Sequence, residues 1–213
     1  MTADPDKPDT PPQWLQWAQR LQALAQTGIA FAGNEFDRER YAAVGRIAAA
    51  MMAAGSDRQP QFIQGLFTEG GYATPKVDVR AAVFRGDCIL MVKERSDGLW
   101  TLPGGWADVG DCPSSAAERE VREEAGFEVR AVKLAALYDR NRHPHPPFAF
   151  HLWKAFFVCE LLGGEARPSI ETEAAEFFAE HQLPPLSRGR ATLEQIRHMY
   201  EHHRNPGLPT SFD

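Results

Sequence analysis

The chain has 213 residues, of which 24% are charged and 43% hydrophobic, and its formal net charge at pH 7 is −6. This length suits one large domain or a domain with a smaller companion, and no apolar run approaches the ~20 residues of a membrane span. The cysteines, Cys88, Cys112 and Cys159, are odd in number and widely spaced. A disulfide framework and a zinc site are therefore disfavoured.

The N-terminal half carries a short tail and a helical region. The segment "MTADPDKPDTPP" is acidic and proline-rich, which predicts a disordered tail over residues 1–12. It has no features of a secretory signal, so we expect a cytoplasmic protein. Residues 13–72 place apolar side chains at helical spacing and predict a small all-helical N-terminal domain of three helices. The apolar stripes are Trp14, Trp17, Leu21 and Leu24, then Tyr41, Val44, Ile47 and Met51, then Phe62, Ile63, Leu66 and Phe67.

Strand-like segments predominate after the glycines and proline of "EGGYATPKV", which predicts a second domain over residues 73–213. The segments "VDVRAAVF" and "CILMVKER" form a predicted hairpin around residues 85–87. Further strands are predicted in "FEVRAVKLAALYDR", "AFHLWKAFFVCEL" and "GGEARPSIETEAAEFFAEHQLPPLS", and a last helix in "GRATLEQIRHMYEHH". Mixed strands with helices on both sides predict an α/β fold.

An acidic helix is predicted in "AEREVREEAGFEV", residues 117–129, and Gly126 is expected to end it. Glu120 and Glu124 lie one above the other at 3.6 residues per turn, with Glu123 on a neighbouring line. Upstream, Ser115 and Glu118 have the spacing of a capping box. Exposed Glu–Arg ion pairs at i,i+4 spacing account for part of the charge on this helix. Three glutamates that repel one another on one side indicate a bound cation.

The residues upstream of the acidic helix, "LWTLPGGWADVGDC", place a Pro-Gly-Gly turn after a strand-like stretch. With this loop the sequence resembles the Nudix hydrolases, whose motif reads G-x5-E-x7-R-E-U-x-E-E-x-G-U, where U is apolar. The match runs from Gly105 to Phe127. Asp111 stands where the family has glutamate. The resemblance implies that this position supports the site from behind the metal ligands, so we expect the shorter carboxylate to cost little.

This resemblance implies a Nudix α/β/α sandwich with a mixed sheet over roughly residues 75–200. It implies that Glu120 and Glu124 are the principal metal ligands and that Glu123 joins directly or through water. Arg119 is expected to orient a glutamate. Gly105, with Gly104, is expected to offer a backbone carbonyl to the metal and room for the substrate. Carboxylate oxygens suit Mg²⁺, for which Mn²⁺ can substitute, and such a cation is needed because an acidic protein would otherwise repel a pyrophosphate.

The motif does not specify which residue is the general base or which residues contact the substrate. Glu171 or Glu173 is a candidate base, although the same residues suit an exposed acidic loop. Four residues are candidates for substrate binding, with packing or plain loop positions as the alternative: Trp106, Tyr138, Arg140 and His143. His198 and His202 are spaced i,i+4 on the last helix, but a solvated helix face is favoured over a metal site because no third ligand is evident.

Over the whole chain the sequence is similar to Nudix hydrolases with a short helical N-terminal domain, described as pyrophosphatases for ADP-ribose or CDP-choline. The segments that carry this are "RLQALAQTGIAF", "GYATPKVDVRAAVF", "LPGGWADVG" and "HHRNPGLPTSFD". The implied function is metal-dependent hydrolysis of the pyrophosphate in a small-molecule nucleotide, a nucleoside diphosphate linked to another moiety. The alternatives are an RNA-directed or nucleoside-triphosphate Nudix hydrolase and a non-catalytic sensing module.

Two further expectations concern partners. Residues 1–70 hold eight Asp and Glu against six Lys and Arg with no basic stripe, which argues against duplex DNA. The apolar stripes of the helical segment come from fewer than about sixty residues, a size at which a lone core is marginal. We therefore expect a homodimer that uses this segment. Packing of the segment against its own Nudix domain is the alternative.

Overall fold

The computed structural model describes residues 12–56 and 58–213, so the predicted tail lies outside the described residues except for Pro12. The chain divides into two compact units. One contains the described residues from 12 to 76 together with the short segment Pro147–His151. The other contains Val77–Pro146 and Leu152–Asp213. In the described parts of both, no helix is long and apolar enough to cross a bilayer.

The first unit consists of the three predicted helices: α1 (Gln13–Phe31), α2 (Glu35–Ala54) and α3 (Pro60–Leu66). Asn34 caps α2, because its side-chain oxygen accepts a hydrogen bond from the Asp37 amide at 2.9 Å. The core is small and consists of Leu15, Ala18, Ala49, Met52, Ala53 and Ile63. Much apolar surface stays outside it, and the large apolar side chains more than half exposed are Trp17, Leu24, Phe31, Phe36, Ile47, Phe62 and Tyr72.

The second unit is built on a mixed sheet. Its strands are β1 (Lys76–Arg85), β2 (Cys88–Glu94), β3 (Trp100–Thr101), β4 (Phe127–Asp139), β5 (Leu152–Gly164), β6 (Thr172–Ala179) and β7 (Ser211–Phe212). The order is β3-β2-β1-β5-β4-β7, with β6 also paired to β2. The pairing of β4 with β7 is parallel, whereas the β1–β2 hairpin and the β4–β5 pair are antiparallel. The two-residue strand β7 was not foreseen in the sequence.

Two helices cover opposite faces of this sheet, α4 (Pro113–Ala125) and α5 (Leu193–Arg204). Side chains alternate along β1, so Val79 and Ala81 pack on the α4 face and Ala82 on the α5 face. Each face has its own apolar core. The expected α/β/α sandwich is therefore confirmed.

The acidic helix α4 begins earlier than the sequence suggested. Cys112 is the N-cap, and its backbone N–H donates to the Ser115 side chain at 3.0 Å. The proposed Ser115–Glu118 capping box is wrong, because the Glu118 carboxylate instead accepts from the Ala131 amide of β4 at 2.8 Å. The end of the helix is as expected, since Gly126 adopts a left-handed φ of 80°.

Candidate active site

The loop between β3 and α4 lies along β1 through backbone hydrogen bonds. The Ala81 amide donates to Pro103 O at 2.9 Å, and the Val79 amide donates to Gly105 O at 2.8 Å. Gly104, between these two, points the other way, and its amide donates to Glu124 Oε2 at 2.9 Å. The loop thereby brings the glycines against the acidic helix.

Only glycine fits at this contact. Gly104 has a φ of 144°, and a Cβ there would lie 2.0 Å from the Val79 carbonyl oxygen. A Cβ on Gly105 would lie 3.1 Å from Glu120 Oε1. The Pro-Gly-Gly sequence therefore allows the backbone to approach both glutamates closely.

Glu120 and Glu124 are buried at the base of this loop, with 9% and 5% of their surface exposed. Burial raises the pKa of Glu120, and the neighbouring Arg119 offsets part of the shift. Burial raises the pKa of Glu124 to about 8, which the positive charge of Arg80 and the Gly104 hydrogen bond only partly oppose. Two neighbouring carboxylates with so little solvent are stabilised in their ionised form by a cation.

Arg119 connects the acidic residues. Its Nη1 lies 3.0 Å from Glu120 Oε1 and 3.1 Å from Glu123 Oε2, and its Nε donates to Asp111 Oδ2 at 3.0 Å. Glu123 is about half exposed, with 55% of its side chain accessible. Asp111 thus contacts the arginine that holds the glutamates, and the shorter carboxylate is long enough to reach it.

The carboxylate oxygens of Glu120 and Glu124 are donors of the chemical type that a hard divalent cation prefers. Within the described ranges, no three His, Cys, Asp or Glu side chains are grouped as a ready metal site. The carboxylate of Glu123, the third glutamate of the motif, pairs with Arg119. The Gly105 carbonyl already accepts from Val79, so one lone pair remains for another partner.

Glu171 and Glu173 flank a residue that is bonded to the end of α4. The buried Thr172 donates its hydroxyl hydrogen to the Glu124 carbonyl oxygen at 2.6 Å. Glu173 pairs with Lys93 at 2.8 Å, which lowers the pKa of its carboxyl group. Glu171 is exposed and forms no ion pair with the described residues. The Glu173 carboxylate is therefore engaged in an ion pair, whereas the Glu171 carboxylate is not.

The four candidate substrate-binding residues do not lie together but in three different environments. Trp106 forms a β-bridge to Asp78 beside the glycine loop and is 43% exposed. Tyr138 and His143 contact each other, with ring centroids 4.2 Å apart, and line a cavity of about 380 Å³ beside α5. Arg140 is 4% exposed, and its Nη2 donates to Pro146 O at 2.8 Å.

A buried ionic cluster beside the loop was missed in the sequence. Arg80 donates to both carboxylate oxygens of Asp78, at 3.0 and 2.8 Å, and Lys154 donates to the same carboxylate. All three residues are at most 7% exposed. A usable signal was the i,i+2 placement of Asp78 and Arg80 within the otherwise apolar "VDVRAAVF", which puts both on one face of the strand.

His202 departs from the expected solvated helix face. It is 1% exposed, and its Nε2 lies 3.1 Å from Nε2 of His198. His198 in turn contacts Glu201 and Ser211, so the pair connects α5 to β7. The histidines serve packing in this unit.

Comparisons with known proteins agree with this geometry. The family model described as "NUDIX domain" matches residues 74–199, and the one described as "UDP-X-like, N-terminal oligomerisation domain" matches residues 12–67. The chain is 42% identical over 202 residues to the Bacillus subtilis (strain 168) protein named "Putative ADP-ribose pyrophosphatase YjhB", covering 94% of this chain and 97% of that one.

Two solved structures are also similar. A Streptococcus suis 89-1591 ADP-ribose pyrophosphatase is 44% identical with a TM-score of 0.61, and the match covers 66% of this chain and all of that one. A UDP-X diphosphatase is 32% identical with a TM-score of 0.62, and the match covers 94% of this chain and 98% of that one. The second similarity includes both units.

Proposed function

We propose that this chain, which belongs to the Nudix hydrolase family, hydrolyses the pyrophosphate of a nucleoside diphosphate linked to another moiety, of the ADP-ribose or CDP-choline type. The products are a nucleoside monophosphate and a phosphorylated remainder. The observation that carries the proposal is the burial of Glu120 and Glu124 against the Gly104–Gly105 backbone, within the Nudix spacing. The names of the relatives, ADP-ribose pyrophosphatase and UDP-X diphosphatase, support this substrate class.

In this mechanism Glu120 and Glu124 would hold Mg²⁺, and Glu123, which pairs with Arg119, is the third carboxylate that could join them. The bound cation would neutralise phosphate charge and lower the pKa of a bound water. Arg119 keeps Glu120 in place through its 3.0 Å contact, and the Gly104 amide fixes the Glu124 carboxylate. We favour Glu171 over Glu173 as the base that takes the proton from the attacking water, because Glu173 is occupied by Lys93.

A substrate panel tests the proposal. The purified chain is assayed with Mg²⁺ and with Mn²⁺ on ADP-ribose, CDP-choline, dinucleoside polyphosphates, oxidised nucleoside triphosphates and RNA. We expect the largest kcat/KM for one of the first two, with a nucleoside monophosphate as product. A preference for a triphosphate or RNA would replace the proposed substrate class, and no turnover of any compound would remove the enzymatic function.

The alternatives have less support. An RNA-directed function needs a basic surface, and residues 1–70 hold eight Asp and Glu against six Lys and Arg. A non-catalytic module is disfavoured because Arg119, Glu120, Glu123 and Glu124 are all present and in contact or adjacent. We also propose the cytoplasm as the location, since Cys88, Cys112 and Cys159 are all free.

Mg²⁺ should raise the melting temperature of the metal-free protein, because a ligand that binds only the folded state stabilises it by mass action. We expect a shift that grows with metal concentration up to the millimolar range and disappears with chelator. Thermal scans of the wild type and of Glu120→Gln supply the measurement and its control. An unchanged midpoint in the wild type would mean that the glutamates do not form a site without substrate.

We propose that the chain is a homodimer assembled through its helical unit. Phe31 and Phe36 of this unit are 72% and 73% exposed, and large apolar side chains left in water are a feature of protein interaction sites. The matched family model describes this region as an oligomerisation domain, which supports the same assignment. Homo-oligomers most commonly bury such a surface in a two-fold symmetric dimer interface.

Charge insertion at this surface should dissociate the dimer. Phe31→Glu and Phe36→Glu place a carboxylate in the expected interface, and we expect at least a ~100-fold rise in the dimer dissociation constant, since an unpaired buried charge is costly. Sedimentation measures it. Leu162→Glu, at a 58% exposed site in the other unit, is the matched control. A monomeric wild type contradicts the proposal, and equal dimers in all variants would move the interface elsewhere.

A further inference from the structure

The C-terminal end of α4, the helix that carries Glu120 and Glu124, is bonded to the loop between β5 and β6. An α-helix leaves its last four carbonyl oxygens without partners inside the helix. In α4 the Glu124 carbonyl accepts from the Thr172 hydroxyl at 2.6 Å, and the Ala125 carbonyl accepts from the Arg167 amide at 3.2 Å. The backbone of Glu124 is therefore fixed to a side chain at the far end of this loop.

Thr172 is completely buried and also closes a turn within the loop. Its hydroxyl oxygen lies 3.0 Å from Ser169 Oγ. A hydroxyl has one hydrogen, and Thr172 donates it to Glu124, so the Ser169 hydroxyl is the donor in this second contact. The Ser169 oxygen in turn accepts the amides of Glu171 and Thr172 at 3.1 and 3.0 Å. The Thr172 hydroxyl thus connects the turn over residues 169–172 to α4.

Glu171, which we favour as the base, lies inside this turn. Its amide donates to Ser169 Oγ, and its carbonyl oxygen accepts from the Arg95 amide at 2.9 Å. The residue is exposed. The backbone of Glu171 is therefore held on both sides while its carboxylate can be reached from solution, as a base that takes a proton from water requires.

The buried Glu94 relates Glu171 to the acidic site. Glu94 lies opposite Thr172 in the pairing of β2 with β6. Burial is the main cause of the raised pKa of Glu94, and the negative charge of Glu171 adds to it. Burial also raises the pKa of Glu124 to about 8, and the charge of Glu94 contributes to that shift. Glu171 and Glu124 thus have a neighbouring carboxylate in common.

We propose that Thr172 is a positioning residue of the hydrolytic reaction. Its hydroxyl fixes the turn that carries Glu171 to the end of the helix that carries Glu120 and Glu124, and so keeps the base at one distance from the metal ligands. This inference rests on the proposed function, because it concerns the base of the same reaction. A displacement of about 1 Å between reacting groups can cost as much as ~100-fold in rate.

Thr172→Val removes the hydroxyl and keeps the branched shape, whereas Thr172→Ser keeps the hydroxyl and removes the methyl group. Thr210→Val is the matched control, because the Thr210 hydroxyl also donates to a backbone carbonyl, that of Leu134, at 2.7 Å. Neither Thr210 nor Leu134 belongs to the candidate active site. Steady-state kinetics with ADP-ribose and Mg²⁺ and melting temperatures are measured for all three variants.

Both valine variants should melt below the wild type, because each leaves a carbonyl without its donor. Thr172→Val alone should lower kcat, by about 10–100-fold, with KM within about 3-fold. Thr172→Ser should keep kcat within about 3-fold of the wild type, and Thr210→Val within about 2-fold. A purely structural role for Thr172 predicts instead that the two valine variants behave alike in the assay.

A double-mutant cycle tests whether Thr172 acts through Glu171. Glu171→Gln should lower kcat by at least about 100-fold, since it removes the base. If Thr172 positions this base, Thr172→Val should lower kcat by no more than about 3-fold further in the Glu171→Gln background. Ser169→Ala, which removes the acceptor of the Glu171 amide, should show the same dependence on Glu171, and it decides the question if Thr172→Val does not fold.

Four results would overturn the inference: normal kcat in Thr172→Val, equal losses in Thr172→Val and Thr172→Ser, a loss that adds in full to that of Glu171→Gln, or normal kcat in Glu171→Gln. In each case the wild type still hydrolyses ADP-ribose, and the proposed function stands. If the wild type hydrolyses no nucleoside diphosphate conjugate, the proposed function fails, and this inference fails with it.

Discussion

Glu120→Gln and Glu124→Gln should each lower kcat by at least ~100-fold, because each removes a charged ligand from the cation that the chemistry needs. The free energy of unfolding of the metal-free protein should stay unchanged or rise. Both carboxylates are buried, and the charge of Glu120 contributes to the raised pKa of Glu124. A neutral amide of the same shape relieves that repulsion. Steady-state kinetics and denaturant unfolding measure the two effects.

Asp111→Glu is the matched control for these variants. Asp111 contacts Arg119 and neither of the two inner glutamates, so one more methylene should change kcat by less than about 5-fold. Near-normal turnover in both glutamine variants would remove Glu120 and Glu124 from the metal site. Loss of activity in Asp111→Glu would instead mean that the length of this side chain sets the position of Arg119.

The stability of the metal-free protein should also depend on pH through Glu124. Its pKa is about 8 in the folded protein and 4.5 in a model peptide, so the folded state holds a proton that the unfolded state releases. The contribution to stability is fully present below pH 4.5 and is lost as the pH rises through 8. The wild type should lose unfolding free energy on the order of a few kcal/mol over this pH range, and Glu124→Gln should not show this loss. A wild-type stability that is flat over this range in chelator contradicts this reasoning.

Local periodicity and motif spacing were sufficient to predict much of this protein. The helical repeat in residues 13–72 and the alternation along "VDVRAAVF" predicted elements close to α1–α3 and β1. The Nudix spacing placed Gly105 and Glu120 in one motif, and in the fold a Cβ on Gly105 would touch that glutamate. The periodicity and the motif spacing both involve residues that are close together in the sequence, so they can be recognised without knowledge of the tertiary fold.

The rest depends on contacts between distant segments. Lys154 reaches Asp78 because β1 and β5 are neighbours in the sheet, which no local pattern reveals. The buried His145 contacts the carbonyl oxygen of Arg188, 43 residues further along the chain, through its Nδ1 at 2.7 Å. The capping box failed for the same reason, since Glu118 bonds to β4 rather than to its own helix. Each error concerns a polar side chain whose partner is set by the tertiary fold.

Asp78→Asn should destabilise the protein by about 3–5 kcal/mol, because it removes the buried carboxylate that Arg80 and Lys154 share. For a domain of this size that corresponds to a fall in melting temperature of roughly 10 °C. The loss should be smaller at high pH. Burial lowers the pKa of Lys154 to about 8 even with Asp78 present, so the unpaired amine gives up its proton readily as the pH rises.

Glu160→Gln supplies the comparison for this variant. Glu160 pairs with Arg130 at 2.5 Å, but both side chains are more than half exposed, so water and salt screen the pair. Its loss should cost less than about 1 kcal/mol and should depend on ionic strength. The Asp78→Asn effect should persist in high salt, because its ions are shielded from solvent. Equal small losses in the two variants would mean that Arg80 and Lys154 find other partners, or water, when the Asp78 carboxylate is gone.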